Sequence, residues 1–475
     1  MALRDTVEKT FLDDALPALS EYVTIPCLSP AFDEAWEQHN AIENAIEYFA
    51  AWAGTRDIPG LHVSISRLSN KTPILLISIP AHGNGVGKTL LYGHLDKQPP
   101  LGKWSDGLDP YIPVLRDDRL FGRGTGDDGY AMFSALIAIE TMAQSGRSYG
   151  ECVILIEASE ESGSPDLDAH LDAEGHVLDG IDFVVCLDSG ALSYDRLWMT
   201  TSLRGNIVAI VRVDVLERGV HSGEAGGVVP SSFRVLRQLL DRVEDASSGE
   251  ILIDALCARP PAHALSQAAI LSREMNDPLS RHFPTVPGLQ LMGRDGADNL
   301  IRQSWSASLS VTGIEGIPSI AEGGNVLRSS TTAKLSVRLP PTVNAEHAQN
   351  VLVRVLESDP PSNATITVKT EQAAQGWLAP EPAAWLGDAL EEGSMLGFGH
   401  GHGSLGEGGS IPFLATLGQR FPDAQFLATG VLGPDSNAHG IDESLHLPAA
   451  IGITTALVHI LHAHGNREMG QSSDA

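Results

Sequence analysis

Apolar residues recur at a helical interval in two stretches near the N-terminus. The first is Val7, Phe11, Leu12, Ala15, Leu16 and Leu19; the second is Ile42, Ile46, Phe49 and Trp52. A 3.6-residue period puts each set on one face, so residues 1 to 57 are expected to form two amphipathic helices. Between them, Thr24 to Pro30 is punctuated by prolines and reads as a loop. Positions 61 to 80 alternate and then run apolar, giving one or two strands. Thr89 to Tyr92, Cys152 to Ala158 and Val184 to Leu187 are short apolar runs of the kind that become buried strands. A helix is expected over 131 to 142, and 97 to 120, rich in proline, reads as a long irregular connection.

From Trp198 to about Gln375 the pattern changes. Ile207 to Val215, Ser304 to Thr312, Thr331 to Leu339 and Ala364 to Thr370 read as strands, the first three alternating as in an open antiparallel sheet. Helices over 231–243 and 345–357 separate them, while 258 to 300 has no assignable pattern. From Trp377 the α/β texture returns, with helices at 381–396 and 447–463 and a strand from Gln425 to Val431. The expected organisation is an α/β domain in two parts, 1–200 and 376–475, interrupted by an α+β domain over 201–375.

A chain of 475 residues is too long for one ordinary domain, consistent with this division. The formal net charge of -29 argues against nucleic acid or an anionic membrane as partner. No apolar run in the sequence reaches membrane-spanning length, and Met1 to Asp5 carries no apolar signal segment. The four cysteines (Cys27, Cys152, Cys186, Cys257) are scattered, without a Cys-x-x-Cys pair. They read as free thiols, and a cytoplasmic location is expected.

The chemistry gathers where apolar runs end. Leu91-Tyr92-Gly93-His94-Leu95-Asp96 ends in a His and an Asp two residues apart, which would share a face in a strand. The carboxylate could hold the imidazole while its other nitrogen binds a metal. Alone, His-x-Asp is as a rule structural. Phe121 to Gly129 is glycine-rich, but no lysine follows and the spacing is not Gly-x-Gly-x-x-Gly, so a phosphate loop is rejected. A tight turn would instead bring Asp127 to a helix N-terminus, as an N-cap or a ligand. Glu160 and Glu161 follow one apolar run and Asp188 another, and a late His439 sits in Ser436-Asn437-Ala438-His439-Gly440. Two imidazoles with several carboxylates suit zinc, manganese or cobalt, and the number of carboxylates suggests two metals with one Asp bridging.

In order and spacing, Gly93-His94-Leu95-Asp96, Gly122 to Asp128, Glu160-Glu161, Asp188 and Ser436 to Gly440 resemble the signatures of one zinc peptidase family. It contains carnosinase and related dipeptidases, aminoacylase, glutamate carboxypeptidase, acetylornithine deacetylase and succinyl-diaminopimelate desuccinylase. The likeness runs over nearly the whole chain and looks closest to the dipeptidase branch. It implies an α/β fold: a catalytic domain with a central mixed sheet flanked by helices, interrupted by a smaller α+β lid and dimerisation domain. It also implies two divalent metal ions, zinc first. His94, Asp127 and Asp188 would hold one, and Asp127, Glu161 and His439 the other, with Asp127 bridging. Glu160 would be the general base, Asp96 would orient His94, and Asp127-Asp128 would be joined by a cis peptide. His221 would reach across a homodimer to the oxyanion, Arg338 would clamp a substrate carboxylate, and Asn325 and Ser410 would contact substrate.

The pattern departs from the dipeptidases at Gly129-Tyr130, where Lys-Gly is common, at Gly406, where an arginine is familiar, and at Asn325, in place of a threonine. The activity implied is amide hydrolysis of a dipeptide or related small substrate with a free carboxylate. Two alternatives stand beside it: a deacylase or tailoring amidohydrolase acting on a dedicated metabolite, and a non-catalytic, metal-stabilised binding protein. His400 and His402 have the composition of ligands but read as glycine-rich loop residues.

Overall fold

A computed structural model describes residues 2–283, 285–409 and 411–468. The chain forms two compact units. One comprises residues 1–200, 379–404 and 416–475, the other 201–378 and 405–415.

The first unit is built on a mixed sheet. Seven of its nine strands are β1 (His62–Ser66), β2 (Ile74–Ile79), β3 (Lys88–His94), β4 (Glu151–Glu157), β5 (Phe183–Cys186), β6 (Trp198–Leu203) and β7 (Gln425–Ala428). Their order is β1-β2-β4-β3-β5-β7-β6. The centre, β4-β3-β5-β7, is parallel, and its flanks β1, β2 and β6 pair antiparallel. Parallel strands buried on both faces read as continuous apolar runs, and β3, β4 and β5 are buried almost throughout. The helix Tyr130–Gln144 joins β3 to β4 and is enclosed over most of its length. The helix Leu447–Asn466 is, among the described residues, the one long and apolar enough to cross a membrane. Of its apolar window 78% is buried inside the protein, as befits a core helix.

At the N-terminus, Leu3–Thr10 and Leu16–Val23 are α-helical and joined by a π turn over Phe11–Ala15. The wider turn shifts the helical phase, which leaves Leu12 38% exposed although the regular period puts it on the buried face. The second expected helix is Ala41–Ala53.

The second unit has a four-stranded antiparallel sheet in the order Ser308–Glu315, Ser330–Leu339, Gly205–Asp214, Thr365–Thr370. In Gly205–Asp214 and Ser330–Leu339 every second side chain is buried, packed with residues of the helices Ser232–Leu240 and Ala345–Glu357. The unassigned stretch is helical: Ala262–Glu274, Leu279–His282 and Gly296–Ser304. The strand expected from Ser304 starts at Ser308, because Leu300 and Ser304 are both buried at helical spacing in the last turn of Gly296–Ser304.

Candidate metal centre

Four of the five expected ligands lie at or after the carboxyl end of a parallel strand, where open α/β sheets bind their ligands, and the fifth, Asp127, lies at a helix entry. His94 is the last residue of β3, Glu160 and Glu161 form a 3-10 turn after β4, and Asp188 follows β5 by two residues. His439 lies in the loop after β7, with φ at 62°. Asp127 stands at the entry to Tyr130–Gln144, and the Asp127-Asp128 peptide is cis.

Gly93 lets that helix approach β3. A Cβ there would lie 2.7 Å from the Ala131 Cβ and 2.8 Å from Asp128 Oδ2. Asp127 is therefore brought against His94, its Oδ1 lying 3.2 Å from His94 Nε2. Its Oδ2 lies 3.0 Å from His439 Nε2. His94 Nε2 is also 3.8 Å from Asp188 Oδ2, and His439 Nε2 is 3.3 Å from Glu161 Oε2. Two triads result, His94–Asp127–Asp188 and Asp127–Glu161–His439, sharing Asp127, with donor atoms in each within 4.8 Å of one another. The first is fully buried; in the second, the His439 side chain is 55% exposed.

Burial opposes charge throughout the site. It pushes the carboxyl of Glu160 well above the usual carboxylate range, reinforced by Asp188, and that of Glu161 likewise, reinforced by Asp127. Asp127 moves the other way despite its burial, because His439 and His94 hydrogen-bond its charged form. For His94, burial is outweighed by Asp127, Asp96 and Asp188, which raise the imidazole well above its ordinary value, and Asp127 likewise raises His439. The arrangement is one of buried anions that require positive charge. Two imidazolium protons can supply part of it, and two divalent cations on these N/O donors would supply it fully. The residues present thus fit such ions.

Asp96 lies beside His94 and takes on a second contact as well. Its carboxylate stands 3.5 Å from His94 Nδ1, which lies nearer the Asp96 backbone carbonyl at 3.1 Å. The carboxylate also accepts the backbone N–H of Glu160 at 3.1 Å and of Glu161 at 3.0 Å. The strand ends at His94, so Asp96 leaves the pleat and turns toward the glutamate turn.

Three further residues brace the site and were not singled out from sequence. Gln98 donates to Glu161 Oε2 at 2.7 Å. Arg123 and Glu443, each 1% exposed, form a buried ion pair. Arg123 sits inside the glycine-rich motif that carries Asp127, so its place was visible even though its role was not. Glu443 carries no sequence signal beyond lying four residues after His439.

In the second unit, His221 and Asn325 are adjacent: Val220–His221 pairs with Val326–Leu327, and Ser222 N–H donates to the Asn325 carbonyl at 2.9 Å. Both side chains are exposed. Arg338 is half-buried on Ser330–Leu339. Ser410 lies outside the described residues. His402 pairs with Glu391 at 3.0 Å, and neither it nor His400 belongs to a candidate ligand group among the described residues.

The model for Peptidase family M20/M25/M40 matches residues 90–463. A cysteinylglycine-S-conjugate dipeptidase of Corynebacterium striatum is 30% identical over 365 residues, 75% of this chain and 76% of that one. A Cys-Gly metallodipeptidase of Saccharomyces cerevisiae is 28% identical over 76% of each chain. Among solved structures, human carnosine dipeptidase 1 superposes with a TM-score of 0.75 at 21% identity, covering 98% of this chain and 99% of that one, a likeness of fold.

Proposed function

This chain belongs to peptidase family M20/M25/M40 and is a metal-dependent peptidase, and we propose that it hydrolyses the amide bond of dipeptides with a free carboxylate. The observation that carries the reading is the pair of donor triads sharing Asp127. His94, Asp127, Asp188, Glu161 and His439 would hold two divalent ions, zinc for preference, whose Lewis acidity would supply a nucleophilic water near neutral pH.

The chain's own residues do the rest. Glu160 would accept the water's proton and deliver it to the leaving amine, and burial beside Asp188, which raises its carboxyl above the usual range, favours its holding that proton between the two transfers. Asp96 would fix the turn that carries Glu160 and Glu161. Asp127 would serve both ions, one carboxylate oxygen toward each triad. We assign the second unit the role of lid and dimerisation domain. Within it, His221 would stabilise the oxyanion in the neighbouring subunit of a homodimer, Asn325 and Ser410 would contact substrate, and Arg338 would clamp the substrate carboxylate by two parallel hydrogen bonds. The names of the relatives support a dipeptide substrate. Four free cysteines, three of them buried, support a reducing cytoplasmic setting.

The test is release of free amino acid from a panel of Cys-Gly, its S-conjugates, β-Ala-His and N-acyl amino acids. Wild type and Glu160→Ala are compared with zinc, with manganese and with chelator. Metal-dependent cleavage of dipeptides that falls by orders of magnitude in Glu160→Ala is expected. Cleavage confined to N-acyl substrates would move the protein to the deacylases. Metal binding with no turnover would remove the hydrolytic reading.

A further inference from the structure

The two triads are built on unequal supports. His94 is part of the sheet ladder, and Asp188 follows β5 closely. His439 instead lies on a loop whose Asp435, Asn437 and His439 all have positive φ, at 61°, 52° and 62°. Residues with a Cβ rest there only when their surroundings hold them.

Two arginines supply that hold. Arg119, on the short strand Arg119–Phe121, donates to the Pro434 carbonyl at 2.9 Å and the Asp435 carbonyl at 3.4 Å. Arg123 donates through Nη2 to the Gly440 carbonyl at 2.6 Å and the Pro99 carbonyl at 3.0 Å, and pairs through Nη1 with Glu443. The other oxygen of Glu443 accepts the Gly124 N–H at 2.9 Å and the Asp127 N–H at 3.4 Å. One buried ion pair therefore spans from the residue after His439 to the backbone of Asp127. A guanidinium makes this possible because its planar fork reaches several acceptors at once. Breaking the pair would leave a buried charge unmatched, so the link is stiff.

Resting on the two-ion reading above, we propose that Arg123 and Glu443 are positioning residues for the Asp127–Glu161–His439 triad. They set the affinity of that metal position with a smaller effect on the His94–Asp127–Asp188 position, where two of the three ligands, His94 and Asp188, stand at the ends of sheet strands and only the shared Asp127 touches the brace. The chain would thus load a tight, buried ion first and a weaker ion at His439 second.

The experiment measures metal binding without substrate. Chelator-stripped full-length protein is titrated with zinc against a chromophoric competitor, for wild type, Arg123→Lys and Glu443→Gln. Lysine keeps a positive charge for Glu443 but loses the fork to Gly440 and Pro99; glutamine keeps an acceptor for the backbone amides but loses the charge. Wild type is expected to bind two ions in two affinity classes. Each variant should weaken the second class about 10- to 100-fold while changing the first by less than about threefold, as orienting partners of metal ligands do. Circular dichroism of the zinc-loaded proteins shows which variants are folded, and Glu443→Gln, nearly isosteric, carries the test if Arg123→Lys does not fold. Two ions with unchanged affinities in the variants, or an equal loss at both positions, would overturn the inference alone. A folded wild type that binds a single ion would overturn the two-ion reading and this inference together.

Discussion

Asp96 works through other residues. With two backbone N–H groups on its carboxylate, it sets where Glu160 and Glu161 begin, and so where a base and a ligand point. Asp96→Ala leaves both amides without their acceptor, which costs roughly 1–3 kcal/mol of stability. It should also lower kcat about 10- to 100-fold, by analogy with other partners that orient ligands. Asp96→Asn keeps one carbonyl oxygen and should fall between Asp96→Ala and wild type in kcat and melting temperature. Equal loss in both variants would mean that the charge, and not the acceptor geometry, is what matters. Glu157 is a second buried carboxyl, pushed up to about 7 by burial and partly relieved by Ser164 and Tyr92. The sign follows from linkage. Its folded pKa lies above the unfolded value of 4.5, so between about 4.5 and 7 the folded state binds more protons and stability falls as pH rises. The size is at most about 3 kcal/mol. Glu157→Gln keeps the shape without the titration, so its melting temperature should fall less steeply than that of wild type between pH 5 and 7.

The contact between β3 and the helix Tyr130–Gln144 sets the reach between His94 and Asp127. Gly93→Ala puts a Cβ into Ala131 and Asp128, both held in packed structure. Overpacking of this kind costs about 1–3 kcal/mol. Because the strain falls beside His94, zinc affinity should drop further than thermal stability accounts for; a stability loss with unchanged zinc affinity would show that the strand end tolerates the shift. Such elements were largely legible in advance. β3, β4 and β5 are short apolar runs that end in carboxylates or imidazole, and their burial on both faces explains why the runs are continuous. His94, the Glu160-Glu161 pair and Asp188 stand out because each follows such a run, whereas the grouping into two triads around Asp127 is implied by the resemblance to the peptidase family. The helices between 262 and 304 were not legible: Leu265 and Ile270 in Ala262–Glu274 are 50% and 45% exposed, so no clean apolar stripe marks a buried face. The hold of Asp96 on the glutamate turn was not legible, because the strand stops two residues short of it and strand ends are fixed by pairing with β4, which sequence does not display. Arg123 and Glu443 meet across 320 residues of sequence, and nothing local in either reveals the other.

A chain with net charge -29 that also gathers Asp127, Glu160, Glu161 and Asp188 in one buried site pays for that concentration in free energy unless cations answer it. Without metal, protons must serve. Glu160 and Glu161 have folded pKa values above their ordinary 4.5, so metal-free protein keeps protons that the unfolded chain has released, and it loses stability as pH rises. His94 and His439, raised above 6.5, act with the same sign: their contribution is full below that value and is lost as pH climbs through the raised one. Asp127, held below its ordinary value, adds stability that disappears only in stronger acid, outside this window. Divalent ions displace these protons and keep the donors in their deprotonated forms, so the metal-loaded protein escapes the loss. The melting temperature gap between zinc-loaded and chelator-treated protein should therefore widen from pH 5.5 to pH 8. Differential scanning fluorimetry of both forms across that range reads the gap directly. A gap that stays constant or narrows would mean that protons on Glu160, Glu161, His94 and His439 do not substitute for metal, and that the charge of the site is balanced by other groups.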